Sequence, residues 1–308
     1  MTSKEIKALA RSISQVENSS SKAEELLDEA WRSGNHAYRI GITGPPGAGK
    51  STLVNCLASE FSDAGKRTAV ISVDPSSPFT GGAILGDRIR MNALSSRSNV
   101  YIRSMATRGS LGGLSMKTHD VCDILDGKGF DIILIETVGV GQIELDIAQA
   151  ADVTLTVLVP ESGDDIQAMK AGIMEITDIF VVNKSDRHGA EAMVLNLRSL
   201  TKLRKSYSTL PWEQPVIKTV ATEDVGIEIV LDKLEQFEIM LKKHDNWESV
   251  RNERMKRKVL QLINETLSDS FWTKERKKYL YNELRLSEKT DKSPFRIAEN
   301  LLSSLRNT

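Results

Sequence analysis

The chain has 308 residues, a formal net charge of −1, two cysteines and four histidines. Near-neutrality offers no electrostatic case for a nucleic-acid or membrane surface, and isolated Cys56 and Cys122 with scattered histidines exclude a disulfide framework or zinc spacing. No apolar run is long enough to span a bilayer and the segment 1–5 lacks a signal-peptide core, so the expected location is cytoplasmic.

The first 37 residues carry only helical signals. Ile6, Leu9, Ile13 and Val16 recur at helical spacing, and after Ser19-Ser20-Ser21 a second face follows from Ala23, Leu26, Leu27, Ala30 and Trp31. From 38 to 242, short β-rich runs alternate with helical stretches: 39–43, 68–73, 100–104, 131–135, 153–159, 179–182 and 215–220. Continuous Val/Ile/Leu strands between helices predict an α/β domain with a mainly parallel sheet covered on both faces. Beyond 243 the strands cease. Met255, Val259, Leu262 and Ile263 make one apolar face, Phe271, Trp272, Tyr279 and Tyr281 follow, and Ser293-Pro294 reads as a helix N-cap with proline at the first position. This arm, 243–308, either packs on the central domain or supplies an oligomer contact. Its basic run Arg254-Met255-Lys256-Arg257-Lys258 reads as a solvated helix face.

Gly44-Pro45-Pro46-Gly47-Ala48-Gly49-Lys50-Ser51 joins the first strand to a helix and has the spacing of a phosphate-binding P-loop, G-x-x-x-x-G-K-S. Glycines let the backbone N–H groups of Gly47, Ala48 and Gly49, and of Lys50, Ser51 and Thr52 at the helix start, converge on a polyphosphate. Lys50 is expected to bridge the β- and γ-phosphates, and the Ser51 hydroxyl to ligate Mg²⁺. The domain is therefore expected to be a P-loop NTPase.

Asn183-Lys184-Ser185-Asp186 closes the run 179–182 as an N-K-x-D turn. A carboxylate at Asp186 accepts from guanine N1–H and the exocyclic amine, donors that adenine does not offer in that arrangement. Asn183 would meet the base edge or brace the P-loop, while the Lys184 stem would cover the base. A backbone N–H at Ala221, within Val220-Ala221-Thr222, is expected at guanine O6. Asp74, Asp87 and Glu136 are the candidates for the metal shell, since acidic groups at strand ends suit a hard ion that keeps much of its water. A charge at Glu136, directly after four apolar strand residues, needs a partner.

Glu136-Thr137-Val138-Gly139-Val140-Gly141-Gln142, with 73–77, 82–88, 103–109 and 163–175, closely resembles the MeaB/ArgK family of P-loop GTPases. These are G-protein chaperones of adenosylcobalamin-dependent methylmalonyl-CoA mutase and include the human MMAA-type proteins. The resemblance runs through the whole central domain. It implies slow GTP hydrolysis assisted by Lys50, with Ser51, Asp74, Asp87 and Glu136 around Mg²⁺. It also implies a switch at about 159–170 that includes Gln167 and Lys170. Gln142 would position the attacking water by analogy with other GTPases, or cap the following helix. Further implications are a homodimer through the C-terminal arm and an acyl-CoA mutase partner whose cobalamin loading the chain gates or protects, with no cobalamin bound by this chain itself. Ile143 and Pro160-Glu161-Ser162 depart from the family's usual residues and bear on partner specificity. The competing readings are a metallochaperone GTPase, disfavoured by the lack of histidine tracts and paired cysteines, and an ATP-dependent kinase of a transport protein, opposed by the N-K-x-D turn.

Overall fold

The computed structural model describes residues 1–34, 37–74, 94, 96–106, 113–137, 143–162, 173–205, 211–243, 246–290 and 293–303. Two helices, α1 (Ser3–Glu17) and α2 (Ala23–Ser33), precede β1 (Tyr38–Thr43). Then come α3 (Lys50–Asp63), β2 (Thr68–Asp74), β3 (Val100–Ala106), α4 (Gly113–Gly127), β4 (Ile132–Thr137), α5 (Ile143–Ala150) and β5 (Val153–Leu158). The one-turn α6 (Ile173–Ile176), β6 (Ile179–Val182), α7 (Ala190–Lys205), β7 (Val216–Lys218) and α8 (Ile227–Lys243) complete the domain. Helices α9 (Asn246–Phe271), α10 (Lys274–Thr290) and α11 (Pro294–Ser303) follow.

All seven runs expected from the sequence are strands, and they form one parallel sheet in the order β3-β2-β4-β1-β5-β6-β7. With parallel strands, every helix crosses over a face, so both faces are buried and the strands read as unbroken apolar runs. Residues of alternating parity feed two cores. Ile40, Ile42, Leu134, Leu155 and Val157 pack with Leu53 and Leu57 of α3 and Val230, Leu234 and Phe237 of α8. Ala69, Ile71, Ile133 and Ile135 pack on the other side with α4 and α5.

That second core also takes Leu9, Ile13 and Val16 of α1 with Ala23 and Ala30 of α2. The N-terminal helices thus share a hydrophobic core with the sheet. Thr2 opens α1 with a capping box, its hydroxyl accepting from Glu5 N at 3.3 Å while the Glu5 carboxylate accepts from Thr2 N at 2.6 Å. Arg103 of β3 pairs with Glu17, and Lys117 of α4 donates to Val16 O at 3.0 Å. Trp31, assigned by periodicity to the apolar face of α2, is instead 57 % exposed, because α2 buries its stripe through the small residues Ala23 and Ala30. Closeness explains the choice: a Cβ on Gly127 of α4 would lie 2.5 Å from Ala30 Cα.

The chain separates into two compact units, Met1–Arg251 and Asn252–Thr308, so the division falls inside α9, beyond the boundary at 242 expected from sequence. The second unit has helices and short connections but no strand among its described residues, and Ser293 caps α11 as expected, its hydroxyl accepting from Arg296 N at 3.4 Å. Ile297 and Leu301 of α11 are buried, whereas Met255, Val259, Leu262, Ile263 and Leu267 of α9 stay at least 45 % exposed. Among the described residues, no helix is long and apolar enough to cross a membrane.

Candidate nucleotide site

In the parallel sheet the carboxyl ends of the strands share one edge, and central β1 delivers its chain there directly into the phosphate loop. Two glycines shape that loop. Gly44 has φ 137°, and a Cβ on it would sit 2.0 Å from Val157 O of β5; Gly49 has φ 87°, and its Cβ would meet the Asn183 amide nitrogen at 2.3 Å. Any side chain at either position would collide with an atom that cannot move cheaply. Gly49 is the N-cap of α3 and supplies no side-chain cap, so the first N–H groups of that helix, including those of Ser51 and Thr52, keep their donors for an anion.

Lys50 is 6 % exposed, and its Nζ donates to Gly44 O at 2.7 Å and Pro45 O at 3.0 Å. The cation is held inside the loop that is expected to wrap phosphate. One residue on, the Ser51 hydroxyl is bonded to the Glu136 carboxylate, which is 1 % exposed at the end of β4. This is the partner that the charge at Glu136 required. A hydroxyl and a carboxylate oxygen side by side are hard donors of the kind Mg²⁺ prefers, and they fit that ion when phosphate oxygens and water complete its shell. Asp74 closes β2, the strand beside β4; its side chain lies outside the described residues, as do Asp87, Gln142, Gln167 and Lys170 altogether. Among the described residues no group of three or more His, Cys, Asp and Glu is arranged to hold a metal.

The N-K-x-D turn sits against this loop. Buried Asn183 donates from Nδ2 to Ala48 O at 2.9 Å, while its Oδ1 accepts from Thr219 Oγ1 and Ala221 N, both at 3.1 Å. Of the two roles open to Asn183, the structure shows the brace, and Ala221 N–H can serve a base oxygen only by sharing this bond. Lys184 adopts a left-handed φ of 54° and places Nζ 2.7 Å from Gly47 O. Ser185 N donates to Thr219 O at 3.1 Å, which leaves Asp186 exposed on the turn. Beneath it, Cys56 of α3 donates its thiol to Ala221 O at 3.2 Å; burial and then the Asp224 carboxylate push its pKa from 9.0 up to about 12.

Two contributors escaped sequence reasoning. Thr219 carries no motif of its own; the signal available was its place just before Val220-Ala221-Thr222. Arg187 pairs with Glu161 at 2.5 Å, joining the turn to the residues after β5, and this bond draws the Glu161 carboxyl below its ordinary range.

An all-parallel sheet whose central strand enters a glycine-rich loop, braced by an Asn-Lys-x-Asp turn, defines a P-loop guanine-nucleotide-binding protein. The chain belongs to the family described as methylmalonyl Co-A mutase-associated GTPase MeaB, whose model matches residues 9–276, and is a GTPase of that family. A GTPase-named protein of Pyrococcus abyssi is 42 % identical over 97 % of this chain and 93 % of its own length. The mitochondrial methylmalonic aciduria type A homolog of Mus musculus is 38 % identical over 77 % of this chain and 57 % of its own. Among solved structures, that of an LAO/AO transport system kinase shares the fold, with a TM-score of 0.70 over 97 % of both chains at 23 % identity.

Proposed function

We propose that the chain hydrolyses GTP in the presence of Mg²⁺ and uses the nucleotide state to gate or protect cofactor loading of an adenosylcobalamin-dependent acyl-CoA mutase. The observation that carries the nucleotide assignment is Asn183, whose one side chain bonds the phosphate loop at Ala48 and the base-contacting loop at Thr219 and Ala221. Asp186 reads the guanine edge, and Lys50 bridges the β- and γ-phosphates. Ser51 and Glu136, with Asp74 and Asp87, hold Mg²⁺, which when bound neutralises charge on the phosphates. Gln142 either positions water or caps α5, and Gln167 and Lys170 belong to the segment that communicates with the partner.

The mutase assignment rests on the family's description and on the name of the murine relative. The exposed apolar face of α9 supports a homodimer through the C-terminal arm. The direct test loads the full chain with GTP or GDP and presents it to purified adenosylcobalamin-dependent acyl-CoA mutases. Nucleotide-dependent co-elution with one of them is expected; co-elution with none, in either state, refutes the chaperone role. Lys50→Ala should abolish GTP dependence, and Lys170→Ala should keep GTP binding but weaken partner-stimulated hydrolysis. Selective binding of ATP over GTP would sink the nucleotide assignment.

A further inference from the structure

The carboxyl ends of three adjacent central strands carry threonines in a row. Thr43 of β1 lies in register with Thr156 of β5, and one step beyond the Ile42–Glu136 pair it comes level with Thr137 of β4. All three face the α5 side. On each strand the neighbouring residues Ile42, Leu155 and Leu134 belong to the opposite core with α3, and Glu136 reaches α3 through Ser51. Each of these threonines is at most 2 % exposed. Thr156 Oγ1 bonds Thr177 Oγ1 at 2.6 Å, but the hydroxyls of Thr43 and Thr137 are fully buried with no hydrogen-bond partner among the described residues.

Two orphaned hydroxyls on neighbouring strands are unusual, since buried polar atoms are nearly always satisfied. Strands about 4.8 Å apart set such groups at the separation that one water can bridge. Thr43 and Thr137 give such a water two hydroxyl partners, within the range internal waters take, while Thr156, across β1 from Thr137, is satisfied by Thr177. We propose that Thr43 and Thr137 hold one internal water between them at the carboxyl edge, and that this water positions the end of β4 against the start of the phosphate loop for GTP hydrolysis.

The consequence follows from chain adjacency. Thr43 immediately precedes Gly44, and Thr137 immediately follows Glu136, the carboxylate bonded to Ser51. A water there fixes Glu136 laterally without touching the nucleotide. These threonines are positioning residues, and that part of the inference rests on the reading of Glu136 as the carboxylate of the phosphate site.

The test uses Thr43→Val, Thr137→Val, the double variant and the two serine variants in the full chain. Valine matches threonine in shape, so the fold is kept while the hydroxyl is lost. Melting of the nucleotide-free chain and single-turnover hydrolysis are both read. Each valine variant is expected to lower Tm and to slow kcat about three- to tenfold, the range one net hydrogen bond commands, with KM unchanged. The double variant should be no worse than either single, because all three break the same bridge, and serine should restore both readings. Should one valine variant not fold, the other reads the same bridge from the opposite strand. A Tm that stays or rises overturns the water site, since valine would then only relieve an unpaired hydroxyl. A lowered Tm with unchanged kcat, or additive losses, overturns the positioning role. The thermal arm needs no nucleotide and so separates failure of the water site from failure of the Glu136 reading.

Discussion

Asn183→Ala tests whether the base-reading turn and the phosphate loop form one unit. The side chain is 3 % exposed and makes hydrogen bonds of 2.9 Å to Ala48 O and of 3.1 Å to both Thr219 Oγ1 and Ala221 N. At about 0.5–1.5 kcal/mol net for each bond, the truncation should cost about 3 kcal/mol. For a unit of this size about 1 kcal/mol moves Tm by 2–4 °C, so the melt of the nucleotide-free chain should fall by about 6–12 °C. GTP affinity should fall as well, because the loop would have to be shaped at the moment of binding. Asn183→Asp serves as the control. It keeps an acceptor for Thr219 and Ala221 but sets a carboxylate oxygen against Ala48 O, and should destabilise even though size is conserved. A melting point within about 2 °C of wild type, together with unaltered GTP affinity in the alanine variant, would refute the shared brace.

Asp186→Asn replaces a pure acceptor with a group that also donates, so GTP binding should weaken while a purine carrying a carbonyl in place of the exocyclic amine binds better; competition titrations read the ratio, and an unchanged preference removes Asp186 from base recognition. Cys56 has a folded-state pKa of about 12 against an ordinary 9.0. A thiol raised in this way lends stability that is complete below pH 9 and is lost as pH climbs towards 12. Melts across that window should therefore slope more steeply for wild type than for Cys56→Ala, and equal slopes contradict the thiol's placement. Gly127→Val forces a side chain into Ala30 of α2. It should destabilise by about 1–3 kcal/mol and expose the N-terminal helices to limited proteolysis, whereas a protease-resistant variant would mean that α2 does not pack there.

The strands were readable because each is an unbroken apolar run, and burial on both faces leaves no polar alternation to confuse with a helix. Their order was not readable. Placing β1 between β4 and β5 depends on pairings between residues about a hundred positions apart, such as Ile40 with Leu134, for which local pattern carries no signal. Arg39 shows a related limit: a charge in a central strand reads as a flaw until Asp123 at 2.9 Å and Asp126 at 3.4 Å on α4 come into view. The motifs Gly44–Ser51 and Asn183–Asp186 stood out through spacing alone. What spacing left open was which side chain braces which loop, and only the fold decided that for Asn183, Lys184 and Glu136.

The lysine of the phosphate loop is bonded twice to its own backbone, at Gly44 O and at Pro45 O. Its long side chain thereby ties the start of α3 back to the first residues of the loop. The residue is therefore a strut as well as a charge: it holds the curve that the glycines permit, and removing it slackens the loop in addition to taking away a cation.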